Sequence, residues 1–153
     1  MSLYRYSPIR DKDKFDEALV YIVTKLDQLA KELVGEVLPI DTVKIFAHYH
    51  DEYKYLLNLV TKLGPAAPFN SQTSFYSQTE RKIGDHNIKY VGVRVVDPYR
   101  MQVGCGDYEV ANYNQIRKKH LNKSEFVRDF RGEMIELWHP DLEVLGYIVP
   151  PFE

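Results

Sequence analysis

The chain has 153 residues, of which 44% are hydrophobic and 27% are charged, and its formal net charge at pH 7 is -2. This composition is typical of a soluble globular protein, and the length fits a single domain. A nearly neutral chain creates no global field that would attract nucleic acid or an anionic membrane, so we expect neither as a partner.

The sequence carries no signal for membrane insertion or export. No run of 18 apolar residues could span a membrane, and the first residues lack the apolar segment of a signal peptide. The one cysteine, Cys105, has no partner for an internal disulfide, which fits a reducing compartment. We therefore expect a cytoplasmic protein.

A long amphipathic helix is predicted over residues 13–34. Its apolar residues recur at spacings of four and three, as on one face of a helix: Phe15, Leu19, Ile22, Leu26, Leu29 and Leu33. Asp11 or Asp13 can cap its start, and Gly35 suits its end. The apolar stripe can pack inside the same domain or, as an alternative, form a coiled coil with a partner.

The segment 42–110 predicts a strand, a helix closed by Gly64, and then three strands: 42–48, 51–63, 73–78, 88–96 and 101–110. Asp97-Pro98-Tyr99-Arg100 is typical of a turn, so we expect the last two strands to be antiparallel neighbours. Glycines inside these strands, at Gly92, Gly104 and Gly106, indicate close approach of another backbone or of a ligand.

The segment 112–149 predicts a short helix over 112–122 and a helical turn over 124–130, followed by a hairpin of strands 133–139 and 142–149. The basic run Arg117-Lys118-Lys119-His120 is too short for a nucleic-acid surface, and we interpret it as a solvated helix face.

The strand order of 42–110, the Leu63-Gly64 pair and the tail RGEMIELWHPD resemble one βαβββ module of the glyoxalase/bleomycin-resistance/dioxygenase superfamily, also called vicinal oxygen chelate. The resemblance implies a curled sheet with a ligand cleft on its concave face. It also implies metal ligands that include a His at the start of the first strand and a Glu on the fourth. Glu109 lies on the predicted fourth strand, but Thr42 stands where the His would be. We therefore predict no metal site, and a divalent metal cofactor is implied by the resemblance alone.

These patterns predict one α+β domain over residues 1–153. It comprises the helix 13–34, a βαβββ-like core at 42–110, and a short helix with a C-terminal β-hairpin at 112–149. We expect a curled, mostly antiparallel sheet with the N-terminal helix packed on its outer side. A ferredoxin-like sandwich is the alternative with the same elements.

Arg94 is the least expected charge in the sequence, because it lies between Val93 and Val95 in the middle of a strand. An isolated buried charge is so costly that this guanidinium must be solvated, paired or bound to a ligand. A bond to Asp107 or Glu109 would make a structural salt bridge. Without such a bond, its planar fork would suit the carboxylate or phosphate of a ligand.

We predict a ligand-binding site anchored by Arg94, with Tyr90, Asp107, Glu109 and Glu136 around it and His48 at its rim. His48 and His50 could together hold a metal with a carboxylate, or could simply be polar residues in a turn. Cys105 could be a nucleophile if a base lowered its pKa, or a small buried residue. No catalytic residue can be assigned.

The function predicted first is binding of a small polar or anionic molecule in the concave face of the sheet. Two alternatives stay open at this point: a non-enzymatic dimeric interaction module, and a metal-dependent enzyme related to glyoxalases and dioxygenases. We also expect a homodimer, because the 13–34 stripe and the strands after Gly132 offer more apolar surface than one small sheet needs.

Overall fold

The computed structural model describes residues 4–151, which form three helices and seven strands. The helices are α1 (Lys12–Val34), α2 (His50–Thr61) and α3 (Tyr113–His120). The strands are β1 (Ile40–Phe46), β2 (Ser74–Ile83), β3 (His86–Arg94), β4 (Gly104–Glu109), β5 (Val127–Phe130), β6 (Met134–Leu137) and β7 (Val144–Val149). None of the helices within residues 4–151 is long and apolar enough to cross a membrane.

All seven strands belong to one sheet, in the order β2-β3-β1-β4-β7-β6-β5. The pairs β2–β3, β1–β4, β6–β7 and β5–β6 are antiparallel, whereas β1–β3 and β4–β7 are parallel. The predicted α+β class, the mostly antiparallel sheet and the N-terminal helix packed against it are confirmed.

The predicted pairing of strands 88–96 and 101–110 is wrong, because β1 lies between β3 and β4. Val43 of β1 pairs with Val91 of β3 on one side and with Gly106 of β4 on the other. Val43 and Ile45 are fully buried, so the central position suits β1 better than an edge would. The connection from β3 to β4 spans 95–103, which is long enough to cross the end of β1.

Two local predictions are also wrong. The helical turn predicted over 124–130 contains strand β5, which pairs with β6 and completes the sheet edge. The strand predicted over 73–78 ends too early, because β2 continues to Ile83, β3 begins at His86, and only Gly84-Asp85 turns between them. Pairing with neighbouring strands in the sheet outweighs the preference of these polar segments for turns.

The predicted stripe of α1 is buried against the sheet of its own chain: Phe15, Leu19, Ile22, Leu26 and Leu29 are each at most 2% exposed. The carboxylate of Asp11 caps the helix by accepting from the Lys14 amide at 2.8 Å, and Gly35 ends it with φ 81°. A coiled-coil partner is therefore not needed to cover this helix.

Glycines on β4 allow α1 to approach the sheet closely. A Cβ on Gly104 would lie 2.2 Å from the backbone oxygen of Lys44 and 2.6 Å from Cδ1 of Ile22. A Cβ on Gly106 would lie 2.5 Å from Cδ1 of Leu26. The close approach that these glycines indicated is thus that of a helix and a neighbouring strand.

Substitution of Gly104 by Ala should lower the free energy of unfolding by about 3 kcal/mol, because the new methyl group would overlap a backbone oxygen that cannot rotate away. Gly106→Ala is the matched comparison and should cost less, about 2 kcal/mol, because the backbone oxygen of Thr42 lies 2.8 Å from the new methyl position and Cδ1 of Leu26 is the mobile end of a side chain. Urea unfolding measures both. Equal costs for the two variants would contradict this account of the packing.

Candidate functional site

One face of the sheet lies outside the main core. Residues of α1 and α2 form a single apolar cluster with Val43, Ile45 and Val91, so both helices cover the same face. Side chains alternate between the two faces along each strand, so the residues next to Val43, Ile45 and Val91 in the sequence point away from the helices. We call this second face the open face; its members include Thr42, Lys44, Tyr76, Tyr90, Arg94, Cys105, Asp107, Glu136 and Tyr147.

Strand pairing arranges the open face in rows. The Asp107 row runs Tyr90, Thr42, Asp107, Tyr147 and Glu136. The Lys44 row runs Tyr76, Gly92, Lys44, Cys105 and Leu145. The Arg94 row runs Ser74, Arg94 and Phe46. Neighbouring rows are two residues apart along a strand, or roughly 6.6 Å.

Arg94 points onto the open face without a carboxylate partner. Its buried Nε–H donates to no acceptor. Within residues 4–151 the guanidinium forms no hydrogen bond or ion pair. The predicted bond to Asp107 or Glu109 is therefore wrong. Both acids lie on β4, and β1 separates that strand from β3.

Lys44 is a second cation at the centre of this face, and the sequence analysis missed it. Its Nζ donates to Oγ of Ser74 at 3.1 Å and lies 5.7 Å from the centre of the Tyr76 ring. The signal was present, because Lys44 lies between Val43 and Ile45 just as Arg94 lies between two valines. Lys44 turns toward the Arg94 row, where Ser74 also lies.

A cavity of about 560 Å³ opens at the other end of the face. Its lining combines carboxyl groups with aromatic and proline rings: Asp41, Thr42, Phe69, Tyr90, Asp107, Glu109, Val149, Pro150 and Pro151. Phe69 packs edge-on against Tyr90, with 4.9 Å between ring centres. The loop that carries Phe69 is held by Asn70, whose side chain bonds both the N–H and the C=O of Tyr76.

Burial perturbs the carboxyl groups of this cavity. Burial raises the pKa of Asp107 to about 6, with repulsion from Glu109 adding to the effect and the charge of Lys44 opposing it. Burial also raises the pKa of Asp41 to about 7, and a hydrogen bond with Glu109 and the charges of Glu109 and Asp107 raise it further. Within residues 4–151, none of these three acids forms an ion pair.

Cys105 fits the structural interpretation and not the nucleophilic one. The residue is 4% exposed and packs with Phe46 and Leu145. Burial raises the pKa of its thiol to about 11, although the nearby cations of Lys44, Arg100 and Arg94 lower it in part. The thiol therefore stays protonated at neutral pH.

Glu136 lies on the open face but already has a partner. Its Oε1 accepts from Nε of Arg128 at 2.7 Å, across the pairing of β5 with β6. Glu136 is therefore a structural residue at the far end of the Asp107 row. Of the predicted residues, Tyr90, Arg94, Asp107 and Glu109 share this face without such a salt bridge.

The prediction that His48 lies at the rim of the site is wrong. The residue is 3% exposed, its Nδ1 lies 2.6 Å from Oγ of Ser7, and its ring stacks on Tyr4 at 3.9 Å. The chain turns from β1 into α2 at this point, and the N-terminal segment packs over it. His50 begins α2 and is exposed, so the two histidines do not form a site together.

Glu52 ties this N-terminal segment to the start of α2. Its side chain is fully buried, and its two oxygens accept from the backbone N–H groups of Ile9 and His48 at 2.7 Å each. A carboxylate that receives two such bonds is well compensated for its loss of water. The cluster around His48 is thus a structural clamp.

The residues present do not fit the metal centre that the resemblance implies. Across residues 4–151, no group of three or more His, Cys, Asp and Glu side chains is placed to hold a metal ion. Thr42, at the position where that resemblance expects a His, lies on the floor of the cavity between Tyr90 and Asp107.

No family model matches the sequence, and no characterised protein matches it significantly. The fold is similar to a solved structure described as "Structural Genomics, Protein EC4020", with a TM-score of 0.67 at 12% sequence identity. The similarity covers 99% of this chain and 93% of the other. At this identity the similarity shows a shared fold and nothing about function.

Replacing Asp107 by Asn should stabilise the protein at high pH. In the folded protein the pKa of Asp107 is about 6, above the ordinary value of 3.8. Between these two pH values the folded protein therefore keeps a proton on Asp107 that the unfolded chain has lost. Wild-type stability therefore falls as pH rises through this window. The variant escapes that loss and should be about 1–3 kcal/mol more stable than wild type at pH 8.

Urea unfolding at pH 4 and pH 8 measures this difference, which should disappear at pH 4. Asp85→Asn, at the exposed turn between β2 and β3, is the control and should change stability equally little at both pH values, because Asp85 forms no ion pair with the described residues. A wild type that is more stable than the Asp107→Asn variant at pH 8 would contradict the assignment of a destabilised carboxylate.

Replacing Glu52 by Gln should cost about 2–3 kcal/mol in the free energy of unfolding. The amide nitrogen would face one of the two buried N–H donors and leave it without an acceptor. Glu36→Gln, on an exposed segment, should change stability by less than about 0.5 kcal/mol. A cost for Glu52→Gln as small as this control's would show that the clamp contributes little.

Proposed function

We propose that this protein binds a small anionic molecule on the open face of its sheet, with Arg94 and Lys44 as the anchoring groups. The observation that carries this proposal is the Arg94 guanidinium, whose Nε is buried without a partner on a face that no helix covers. The alternative role for Arg94, a structural salt bridge, has no acid to complete it among the described residues.

The cost of this arrangement supports a ligand. A buried N–H donor that lacks an acceptor loses its bonds to water without compensation, at roughly 1–3 kcal/mol and more for a charged group. A carboxylate or phosphate oxygen would remove that cost, since the guanidinium fork binds such groups with two parallel bonds.

The positive charges are concentrated on one part of the face. Lys44, Arg94 and Arg100 are all close enough to Cys105 to lower its pKa. Arg100 is already paired with Asp97 at 3.6 Å, so Arg94 and Lys44 are the cations available to a ligand. Their rows are adjacent, and one anionic group between them would contact both.

The test is a titration of the protein with inorganic phosphate and with hexanoate, followed by NMR chemical shifts of the backbone amides. We expect shifts on β1 and β3 with dissociation constants in the millimolar range or below. Arg94→Gln should weaken binding at least tenfold, because it removes the charge and the fork together. Lys44→Gln should weaken it less, because Lys44 lacks the fork.

Arg128→Gln is the matched control, since Arg128 is an arginine on the same face whose charge is already used by Glu136. Its effect on anion binding should stay within twofold. Absence of binding by both anions to the wild-type protein, or equal effects of the two arginine variants, would overturn the proposal.

No particular observation favours either alternative function. The apolar stripe of α1, on which the homodimer was predicted, is buried within its own chain. Tyr99 and Met101 are 90% and 59% exposed on the 95–103 connection, and nothing on that connection indicates what would cover them. The homodimer and the metal-dependent enzyme both stay predictions from the sequence.

A further inference from the structure

We infer that the ligand is a zwitterion, an inference that rests on the proposed anion site. Its anionic group binds between Arg94 and Lys44, and its ammonium group enters the acid-lined cavity at Asp107. The ligand class is therefore an amine-bearing carboxylate or phosphate whose two charges are held well apart.

The carboxyl groups of the cavity have no cation paired with them among the described residues. Asp41, Asp107 and Glu109 line one cavity and form no ion pair within residues 4–151. Lys44 is the nearest cation on their face, but its Nζ bonds to Ser74 on the side of the Arg94 row. Lys89 borders Asp41 and Glu109 only in a separate surface depression.

The shape and chemistry of the cavity wall also suit an ammonium group on an alkyl chain. The rings of Phe69 and Tyr90 stand edge to face on one side, and Val149 and Pro150 form the other. An ammonium group is attracted to carboxylates and to the faces of aromatic rings, and its methylene chain suits the apolar wall. A metal ion fits less well, because no group of three ligands is placed to hold one among the described residues.

The distance between the two cations and the cavity limits the length of the ligand. Lys44 and Asp107 occupy adjacent rows, roughly 6.6 Å apart along the strand direction, and Arg94 lies one row further from Asp107. An anionic group between Lys44 and Arg94 is then roughly 7–10 Å from an ammonium group beside Asp107. An α-amino acid is too short for this span, whereas an ω-amino acid with a chain of about six carbons reaches across it.

Burial is the main cause of the raised pKa values of Asp41 and Asp107, and the charge of Lys44 lowers the pKa of Asp107 only in part, so a bound ammonium group would stabilise the ionised forms of both. The other groups facing them are Glu109 of β4, Lys44 of β1, Tyr90 of β3 and Tyr147 of β7. An ammonium group binds the ionised form of a carboxyl, so its contribution to affinity should grow as pH rises from 5 to 8.

The experiment compares hexanoate with 6-aminohexanoate, which differ only by the terminal ammonium group. Wild-type protein at pH 8 should bind 6-aminohexanoate at least tenfold more tightly than hexanoate. Asp107→Asn should reduce this preference, taken as the ratio of the two affinities in the same variant, to threefold or less. Arg94→Gln should weaken the binding of both molecules.

The possible failures are distinguishable. Hexanoate binding that requires Arg94 but gains nothing from the amine would overturn the zwitterion inference and leave the proposed function standing. Hexylamine binding as tightly as 6-aminohexanoate, with no effect of Arg94→Gln, would overturn both. Backbone NMR spectra of the Asp107→Asn variant verify that it is folded, so a lost preference cannot come from unfolding.

Discussion

The packing of α1 against β1 and β4 is the constraint on which the rest of the structure depends. The helix buries its apolar stripe from Phe15 to Leu29 there, and glycines at positions 104 and 106 let it lie directly on the strands. The Tyr108 hydroxyl then reaches the carbonyl of Leu26 and joins helix to sheet in the middle of the core. Because α2 packs on the same face, the opposite face of a seven-stranded sheet is left without a helical cover.

Because the helices cover one face alone, the charged side chains of the central strands point to the other face. A lysine, an arginine and an aspartate in the middle of apolar strands can point only away from the helices, since the helical face is filled by valine, isoleucine and leucine. Strand pairing then sorts them, with Lys44 and Arg94 toward one end and Asp107 with Asp41 and Glu109 toward the other. The resulting face has separated positive and negative ends, and the proposal of a ligand with two opposite charges rests on this separation. The pair formed by Glu136 and Arg128 shows the contrasting outcome, in which adjacent strands bring opposite charges together and neutralise them.

The proposed site could be predicted in part from the cost of burying a charge. A charge between two β-branched residues in a strand is costly unless it is solvated, paired or bound, and this singled out Arg94, which has no salt bridge among the described residues. The same argument applied to Lys44 would have found the second cation. Asp41 could not be found in this way, because it reaches the cavity through a bulge in β1 between Ile40 and Thr42. The alternation of polar and apolar residues in the sequence does not reveal such a bulge. His48 was misplaced because its burial depends on Tyr4 and Ser7, which come from a distant and irregular part of the chain.

The sequence by itself determined the local elements and the side chains that share a strand face, because helix and strand periodicities follow from the backbone geometry of each segment. It therefore predicted α1, β1, α2, the α+β class, and the common face of Tyr90 and Arg94. Only the tertiary structure decided the order of the strands, because pairing depends on which edges are buried and not on which strands are consecutive. With β1 inserted between β3 and β4, the acid expected beside Arg94 was replaced by Lys44 and Phe46. The same insertion changed a predicted salt bridge into a guanidinium without an ion pair among the described residues, on the face of the sheet that points away from the helices.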